Sequence, residues 1–390
     1  MKTFWKVLSY LLVAILASAL TLSAVVGIPG FAGVSGDASK LEQLKDMLVE
    51  RYIGGADETE LEEAAAHAMV SATGDRWSYY IPADQYQAYI ETMETAYVGI
   101  GITIQAAEDN SGFLVTKVNA GGPAEEAGVL AGDVIVAIEG QSASGMTSDE
   151  AKNLVRGEEN TAVNMTFRRN GETLELSILR KTVQVEVATG KLLEGNVGLV
   201  TIANFDLRCS EETIAAIEKL LEEGATALIF DVRNNPGGYA KQLVDVLDYL
   251  LPEGELFRTV DYTGAEDVDM SDAACLDIPM AVLVNLDSYS AAEFFAAALR
   301  EYEAAVVVGE PTVGKGYFQT TIRLNDGSAV SLSVGKYYTP KGVSLADAGG
   351  FIPDLIVEVD EETAFKIYAD SLAPEEDPQI QAAVDALNQP

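Results

Sequence analysis

Beyond Thr182, four short apolar runs alternate with three helix-like stretches. The runs are Val197-Gly198-Leu199-Val200-Thr201-Ile202, Ala227-Leu228-Ile229-Phe230-Asp231-Val232, Ala281 to Val284, and Ala305 to Val308; the helix-like stretches are Glu211 to Glu223, Ala240 to Leu251 and Ala291 to Tyr302. Apolar runs this short read as buried strands, and strands separated by helices are joined by crossovers, so this half of the chain is limited to a mainly parallel α/β core. Three of the runs end in unusual polar or glycine-rich turns: Asp231 to Tyr239, Asn285 to Glu293, and Gly309 to Gln319. Turns of this kind meet at one edge of an open sheet, which is where such folds bind ligands.

The turn after the third run carries the most reactive arrangement. Ser290 falls where a strand hands over to a helix, so the Ala291 amide is one of the unpaired helix-start donors and the helix dipole adds positive potential where an oxyanion would form. The same residues, Ser290-Ala291-Ala292-Glu293, also fit a capping box, in which serine and glutamate satisfy each other's backbone amides and do no chemistry. Lys315, flanked by Gly314 and Gly316, turns the reading toward a serine nucleophile with a lysine base. The glycines let the backbone pack close, and burial would lower the amine from about 10.4 toward neutrality, whereas a solvated lysine would be inert.

Histidine content points the same way. A Ser-His-Asp or Cys-His hydrolase needs an imidazole, and the single histidine, His67, lies in the helix-like segment Leu61 to Val70 with no glycine-rich turn near it. Cys209 and Cys275 are far apart and form no CxxC pattern, which leaves one disulfide open but indicates no zinc site. No metal or organic cofactor is expected.

At 390 residues and 48% hydrophobic, the chain is long enough for two or three domains. A formal charge of -36 repels nucleic acid and anionic headgroups, so a partner bound through phosphates is not expected. Lys2 and Lys6 precede a stretch with no charged residue until Asp37. Its apolar part, Val7 to Val26, matches the roughly 20 residues that span a bilayer and exceeds the about 7 to 15 of a cleaved signal. Residues 1–36 therefore read as a membrane anchor or signal segment. An uncleaved single-pass anchor in the cell membrane is favoured, with the basic end inside and the catalytic part extracytoplasmic; Ala17-Ser18-Ala19 and Ala24 leave cleavage open.

Residues 37–96 read as a helical N-terminal region, from Leu41, Leu44, Met47 and Leu48 and again from Leu61, Ala64, Ala65 and Ala68. The aromatic turn Gly74 to Pro82 inside it is expected to serve packing and is assigned no site. Residues 373–390 form an acidic, proline-flanked tail that is expected to fray.

Residues 97–182 change character, with short alternating strands and one short helix, Ser148 to Val155. Tyr97-Val98-Gly99-Ile100-Gly101-Ile102, Gly122-Pro123-Ala124-Glu125-Glu126-Ala127-Gly128-Val129, Gly132-Asp133 and Leu154-Val155-Arg156-Gly157 resemble a PDZ domain. The resemblance implies a peptide-binding groove at Gly99, Ile100, Gly101 and Ile102, where loop amides receive a terminal carboxylate and the peptide adds as a strand. Arg156, at the end of the short helix, is a candidate sensor of an occupied groove; a solvated surface arginine is the alternative. Gly99 and Gly101 taken alone would mark only a bulged strand.

With a membrane segment, helical prologue, small β-rich PDZ domain and α/β core at residues 183–372 in that order, the chain from Leu41 to about Val359 resembles the C-terminal processing peptidases, the tail-specific serine proteases of family S41. The matching motifs are Asp231 to Gly238, Asn285 to Glu293, Gly309 to Gln319, Tyr338-Thr339-Pro340, and Gly350 to Asp354. The resemblance implies that Ser290 is the nucleophile, Lys315 the general base and Gln319 the residue orienting the lysine, with the amides of Gly238 and Ala291 as oxyanion hole. It also implies polypeptide partners with free apolar C-termini, and it leaves association of like chains open. Tyr289 stands where small residues are usual, and Ala292 where a second serine is common. Asp287 replaces a common glycine and is expected to put a carboxylate near the dyad that would hold Lys315 protonated.

Two rival readings have distinct marks. Gly309 to Lys315 nearly spells a phosphate-binding loop, but Gly316 follows where that motif needs Ser or Thr, and Tyr317 to Leu324 reads as strand where a helix must follow. A scaffold that binds C-termini without cleaving them would keep the groove, yet Ser290, Lys315, Gln319 and the Gly237-Gly238 turn occur together.

Overall fold

The computed structural model describes residues 39–93, 96–107, 109–119, 121–184 and 186–388. The expected membrane segment, residues 1–36, lies outside them; among the described residues no helix is long and apolar enough to cross a membrane. The chain divides into two compact units, Met1–Arg76 and Trp77–Pro390.

In the first unit, helices Lys40–Arg51 and Glu58–Ser71 bury no residue, so side-chain polarity, not a core, shapes them. Ser39 and Glu42 form a capping box at the start of the first helix. Lys45 Nζ joins the two helices through Glu58 at 2.7 Å and Glu62 at 2.5 Å. His67 lies exposed on the second helix.

The second unit begins at the aromatic turn, which is not a mere end of the helical prologue. Strand β1, Tyr79–Ile81, pairs antiparallel with a strand far along the chain, Ala329–Tyr338. Strand β2, Ala96–Gly99, then leads into a sheet of its own formed by β3 (Ile102–Ala106), β4 (Phe113–Val118), β5 (Val134–Ile138), β6 (Gln141–Ser142), β7 (Ala162–Arg169) and β8 (Glu172–Leu179). That sheet and helix Ser148–Val155 enclose a separate core around Phe113, Val115, Ile135, Ile138 and Phe167. Strand β9, Lys181–Gln184, returns antiparallel to β2, so a two-stranded stem carries this domain.

The remaining strands are β10 (Ala188–Leu192), β11 (Val197–Ile202), β12 (Ala227–Asp231), β13 (Gly254–Asp261), β14 (Glu266–Ser271), β15 (Met280–Val284), β16 (Ala305–Gly309), β17 (Tyr317–Arg323), β18 (Ala329–Tyr338) and β19 (Leu355–Ile356). One sheet runs β10-β11-β12-β15-β16-β19, parallel except for the β10/β11 pair. The second is antiparallel, with β18 between β1 and β13, β14 beyond β13, and β17 also on β18.

Period-two alternation in the parallel sheet feeds two cores, as strands covered on both faces require. Leu228, Phe230, Val282 and Val284 face one core with Leu243, Leu247, Phe294 and Phe295 of helices Ala240–Leu250 and Ala291–Glu301. Ile229, Ala281 and Leu283 face the other. That second face is covered by helix Pro378–Leu387, which buries Ile380 and Ala383 there. The expectation of a fraying tail is therefore corrected over Pro378–Leu387: its apolar residues recur on one face of a capped helix, and the sheet needs them.

Candidate active site

The turns after β12, β15 and β16 meet at the C-terminal edge of the parallel sheet. The first two interlock through their asparagines. Asn234 N–H donates to Asn285 Oδ1 at 2.9 Å, Asn285 Nδ2 returns a bond to Asn234 Oδ1 at 2.9 Å, and the buried Ser288 hydroxyl donates to the Val232 carbonyl at 2.7 Å. Tyr289 N–H adds a bond to the Asn235 carbonyl at 3.1 Å. These bonds hold Ser290 at φ +58°, ψ −126°, a conformation a non-glycine residue adopts only under constraint, at about 1–3 kcal/mol. Strand and helix thus meet at a sharp corner with Ser290 at its apex.

Against that corner lies the Gly237-Gly238 turn. Gly237 has φ +90°, and a Cβ there would stand 2.7 Å from Ser290 Cβ; one on Gly238 would stand 2.2 Å from the Phe205 carbonyl oxygen. Glycine is needed at both because Ser290 and a neighbouring backbone occupy the side-chain space. Gly237 N–H is used by Asn235 Oδ1 at 2.8 Å and Tyr239 N–H by the Phe205 carbonyl at 2.7 Å. Among the described residues the Gly238 and Ala291 amides make no such backbone bond, which leaves both donors for an oxyanion.

The capping contact expected at the helix start forms, with Ser290 N–H donating to Glu293 Oε2 at 2.9 Å. Glu293, fully buried, also binds the third turn. It accepts Lys315 N–H at 2.8 Å on Oε2 and Gly314 N–H at 2.7 Å on Oε1, and the Thr312 hydroxyl donates to Oε1 as well. Structural cap and link to the lysine loop are thus the same carboxylate.

The Lys315 amine lies over two aromatic rings, 5.0 Å from the Trp77 centroid and 5.4 Å from that of Tyr289, whose rings are 6.0 Å apart. Burial lowers the amine below its ordinary 10.5, while Glu293 pulls it upward. Asp287, expected to act on Lys315, is instead exposed; burial, and after it the Asp287 charge, raises the Tyr289 phenol. Gln319 lies on β17 and donates to the Tyr317 carbonyl at 3.0 Å and Ser333 Oγ at 3.1 Å. Among the described residues no hydrogen bond joins Ser290, Lys315 and Gln319 through their side chains.

A second site lies in the small domain, a cavity of about 300 Å³ between β3 and helix Ser148–Val155. Ile100, Gly101, Ile102 and Arg156 line it. Gly99 does not; it pairs with Lys181 in the stem. The Arg156 guanidinium stacks 4.9 Å over the Tyr97 ring at the cavity edge. Arg180 caps the helix that walls the groove, donating to the Leu154 carbonyl at 3.0 Å and the Val155 carbonyl at 2.8 Å.

Sequence reasoning missed Trp77, the bridging role of Glu293, and Arg180. The signal for Glu293 is the S-x-x-E pattern, which by itself specifies only a helix cap. For Trp77 no local signal existed, because its turn is brought to Lys315 by the pairing of β1 with β18.

Comparison with known proteins gives the family. Residues 196–357 match peptidase family S41, and residues 114–169 match the PDZ domain. The carboxy-terminal processing protease CtpA of Bacillus subtilis (strain 168) is 32% identical, over 88% of this chain and 74% of that protein. A protein named as a CtpA-like serine protease in Staphylococcus aureus (strain COL) is also 32% identical, over 91% of this chain and 73% of its own length. In fold alone, a protein from Bacteroides fragilis NCTC 9343 assigned to the S41 proteases superposes with a TM-score of 0.54 at 17% identity, over 82% of this chain and 89% of that one.

Proposed function

Since this chain belongs to the S41 family of C-terminal processing serine proteases with a PDZ domain, we propose that it cleaves polypeptides by a Ser290–Lys315 dyad after its PDZ groove captures a free apolar C-terminus. The observation that carries the reading is the Glu293 carboxylate, which accepts the Ser290 amide at 2.9 Å and the Lys315 amide at 2.8 Å.

In the described conformation the lysine amine rests on Trp77 and Tyr289, so catalysis begins with a rotation of that side chain toward Ser290. The neutral amine then takes the Ser290 proton as Oγ attacks the scissile carbonyl carbon. The Gly238 and Ala291 amides receive the oxyanion. Collapse breaks the peptide C–N bond, the lysine ammonium gives its proton to the leaving amine, and an acyl-serine remains. Water, deprotonated by the same lysine, hydrolyses the ester and restores Ser290. In this reading Gln319 leaves the Ser333 hydroxyl and orients the amine. No metal or organic cofactor enters these steps.

Groove and active site are tested together with one peptide pair that differs only in a free or amidated C-terminus. Loss of the charge-assisted bonds to loop amides is expected to raise KM about 10-fold or more for the amide. Equal KM values would remove carboxylate capture; binding of the acid peptide without any turnover would instead favour the non-cleaving scaffold.

We also propose that residues 1–36 anchor the protein and place its globular part outside the cytoplasm. The support is the uncharged stretch after Lys6 and the acidity of all that follows. Protease added to intact cells is expected to degrade the globular part; protection until lysis would refute the orientation.

A further inference from the structure

A glutamate that only capped its helix would need one acceptor for the Ser290 amide. Glu293 takes four donors, and three of them, Thr312, Gly314 and Lys315, come from the loop that carries the lysine. Thr312 is itself fixed, its hydroxyl accepting the Phe351 N–H at 2.9 Å. Two oxygens, each shared by two donors, are a pattern that only an acceptor-only carboxylate satisfies. The group is fully buried, so every one of these bonds lacks a water substitute.

We propose that Glu293 is a positioning residue for peptide cleavage: it sets the register between the Ser290 corner and the Lys315 loop, and so the geometry in which the lysine meets the serine. The inference rests on the Ser–Lys reading given above. Its leverage comes from directness, since both reacting residues donate their own backbone amides to one oxygen, Oε2. A displacement of about 1 Å between reacting groups costs on the order of 10²-fold in rate.

The same carboxylate also acts through its charge. The titratable groups shown to face the Lys315 amine are Glu293 from the helix and Tyr289 from the turn before it; Trp77 closes a further side without charge. Burial lowers the amine and Glu293 raises it, so neutralising Glu293 moves the lysine to lower pH. A purely structural glutamate would not couple loss of rate to that shift.

The test is peptide cleavage by the full-length protein against pH, with thermal melts to establish folding. Glu293→Gln keeps the shape but offers one acceptor oxygen in place of two, so it turns an NH2 toward one pair of donors. Its kcat is expected to fall about 10²-fold with KM within about threefold, and its acid limb is expected to move to lower pH. Glu293→Asp, which keeps the charge, should return the acid limb to the wild-type position with partial recovery of kcat. A folded Glu293→Gln protein with wild-type kcat and an unmoved acid limb overturns the proposal. Should that variant fail to fold, Thr312→Val decides: loss of one donor is expected to lower kcat about 5- to 10-fold at unchanged KM, and wild-type kcat overturns the proposal. Lys315→Ala, assayed alongside, separates this inference from its premise. An active Lys315→Ala protein sinks the dyad and the inference with it, whereas an inactive one beside an unaffected Glu293→Gln sinks the inference alone.

Discussion

Ser290→Ala and Lys315→Ala are each expected to lower kcat for peptide cleavage by about 10⁴-fold, and the double variant is expected to be no worse than either single one. The non-additivity is the diagnostic part. A nucleophile and its base perform one step, so removing either leaves the other without a task, and any residual rate comes from the oxyanion donors and substrate binding. The pH profile of the wild-type enzyme follows from the state of Lys315. Burial brings its pKa below 10.5, so activity should rise with pH as the ammonium loses its proton, with a midpoint below that of a solvated lysine. His67→Ala should leave the rate unchanged, because the chemistry asks nothing of an imidazole. A Lys315→Ala protein cleaving at the wild-type rate, or a folded His67→Ala protein without activity, would defeat the Ser–Lys mechanism.

The largest loss of stability is expected from Arg233→Ala. The Arg233 guanidinium, from the residue that precedes the Asn234 to Gly238 turn, is buried and bound on two sides. Nε donates to Asp231 Oδ1 at 2.9 Å and Nη2 to Oδ2 at 2.5 Å, while Nη1 reaches Asp377 at 2.8 Å and Gln379 at 2.9 Å. Asp377 is also the N-cap of helix Pro378–Leu387, accepting the Gln379 N–H at 2.9 Å and the Ile380 N–H at 3.2 Å. Removing the arginine leaves two carboxylates in low-dielectric surroundings with their charge uncompensated. Breaking a buried pair in this way costs about 3–5 kcal/mol, more than the pair itself contributes against an apolar replacement. Urea unfolding should show the loss directly. Limited proteolysis should then cut near the last helix, because its release uncovers Ile229, Ala281 and Leu283. A change below about 0.5 kcal/mol, the level of a surface substitution, would show that the network is not what holds the last helix.

Part of the site was legible locally. The corner at Ser290 could be read because a strand, a turn and a helix start are written in contiguous residues, and the S-x-x-E spacing already fixed one bond of Glu293. Ile100, Gly101 and Ile102, which the PDZ resemblance implies and local glycine spacing alone does not, line the cavity of the small domain. Asp287 is not legible in this way because nearness in sequence is not nearness in space: its side chain is exposed, and Glu293, about one helical turn beyond Ser290, supplies the charge that Lys315 feels.

By itself, then, the sequence determined the alternation of the four parallel strands β11, β12, β15 and β16 with their helices, and the placement of Ser290, Lys315 and the Gly237-Gly238 turn at strand ends. Periodicity, capping and glycine geometry are short-range effects, and they act before any distant contact forms. Only the tertiary structure decided which residues meet there. The pairing of β1 with β18 brings Trp77 over Lys315, Glu293 gathers donors from the loop after β16, and Arg233 closes on Asp377 from 144 residues away. Such contacts depend on strand order and register across the sheets, and no residue's local preference encodes its neighbour's position; the acidic end of the chain becomes a core helix for the same reason, because a buried sheet face was waiting for its apolar side.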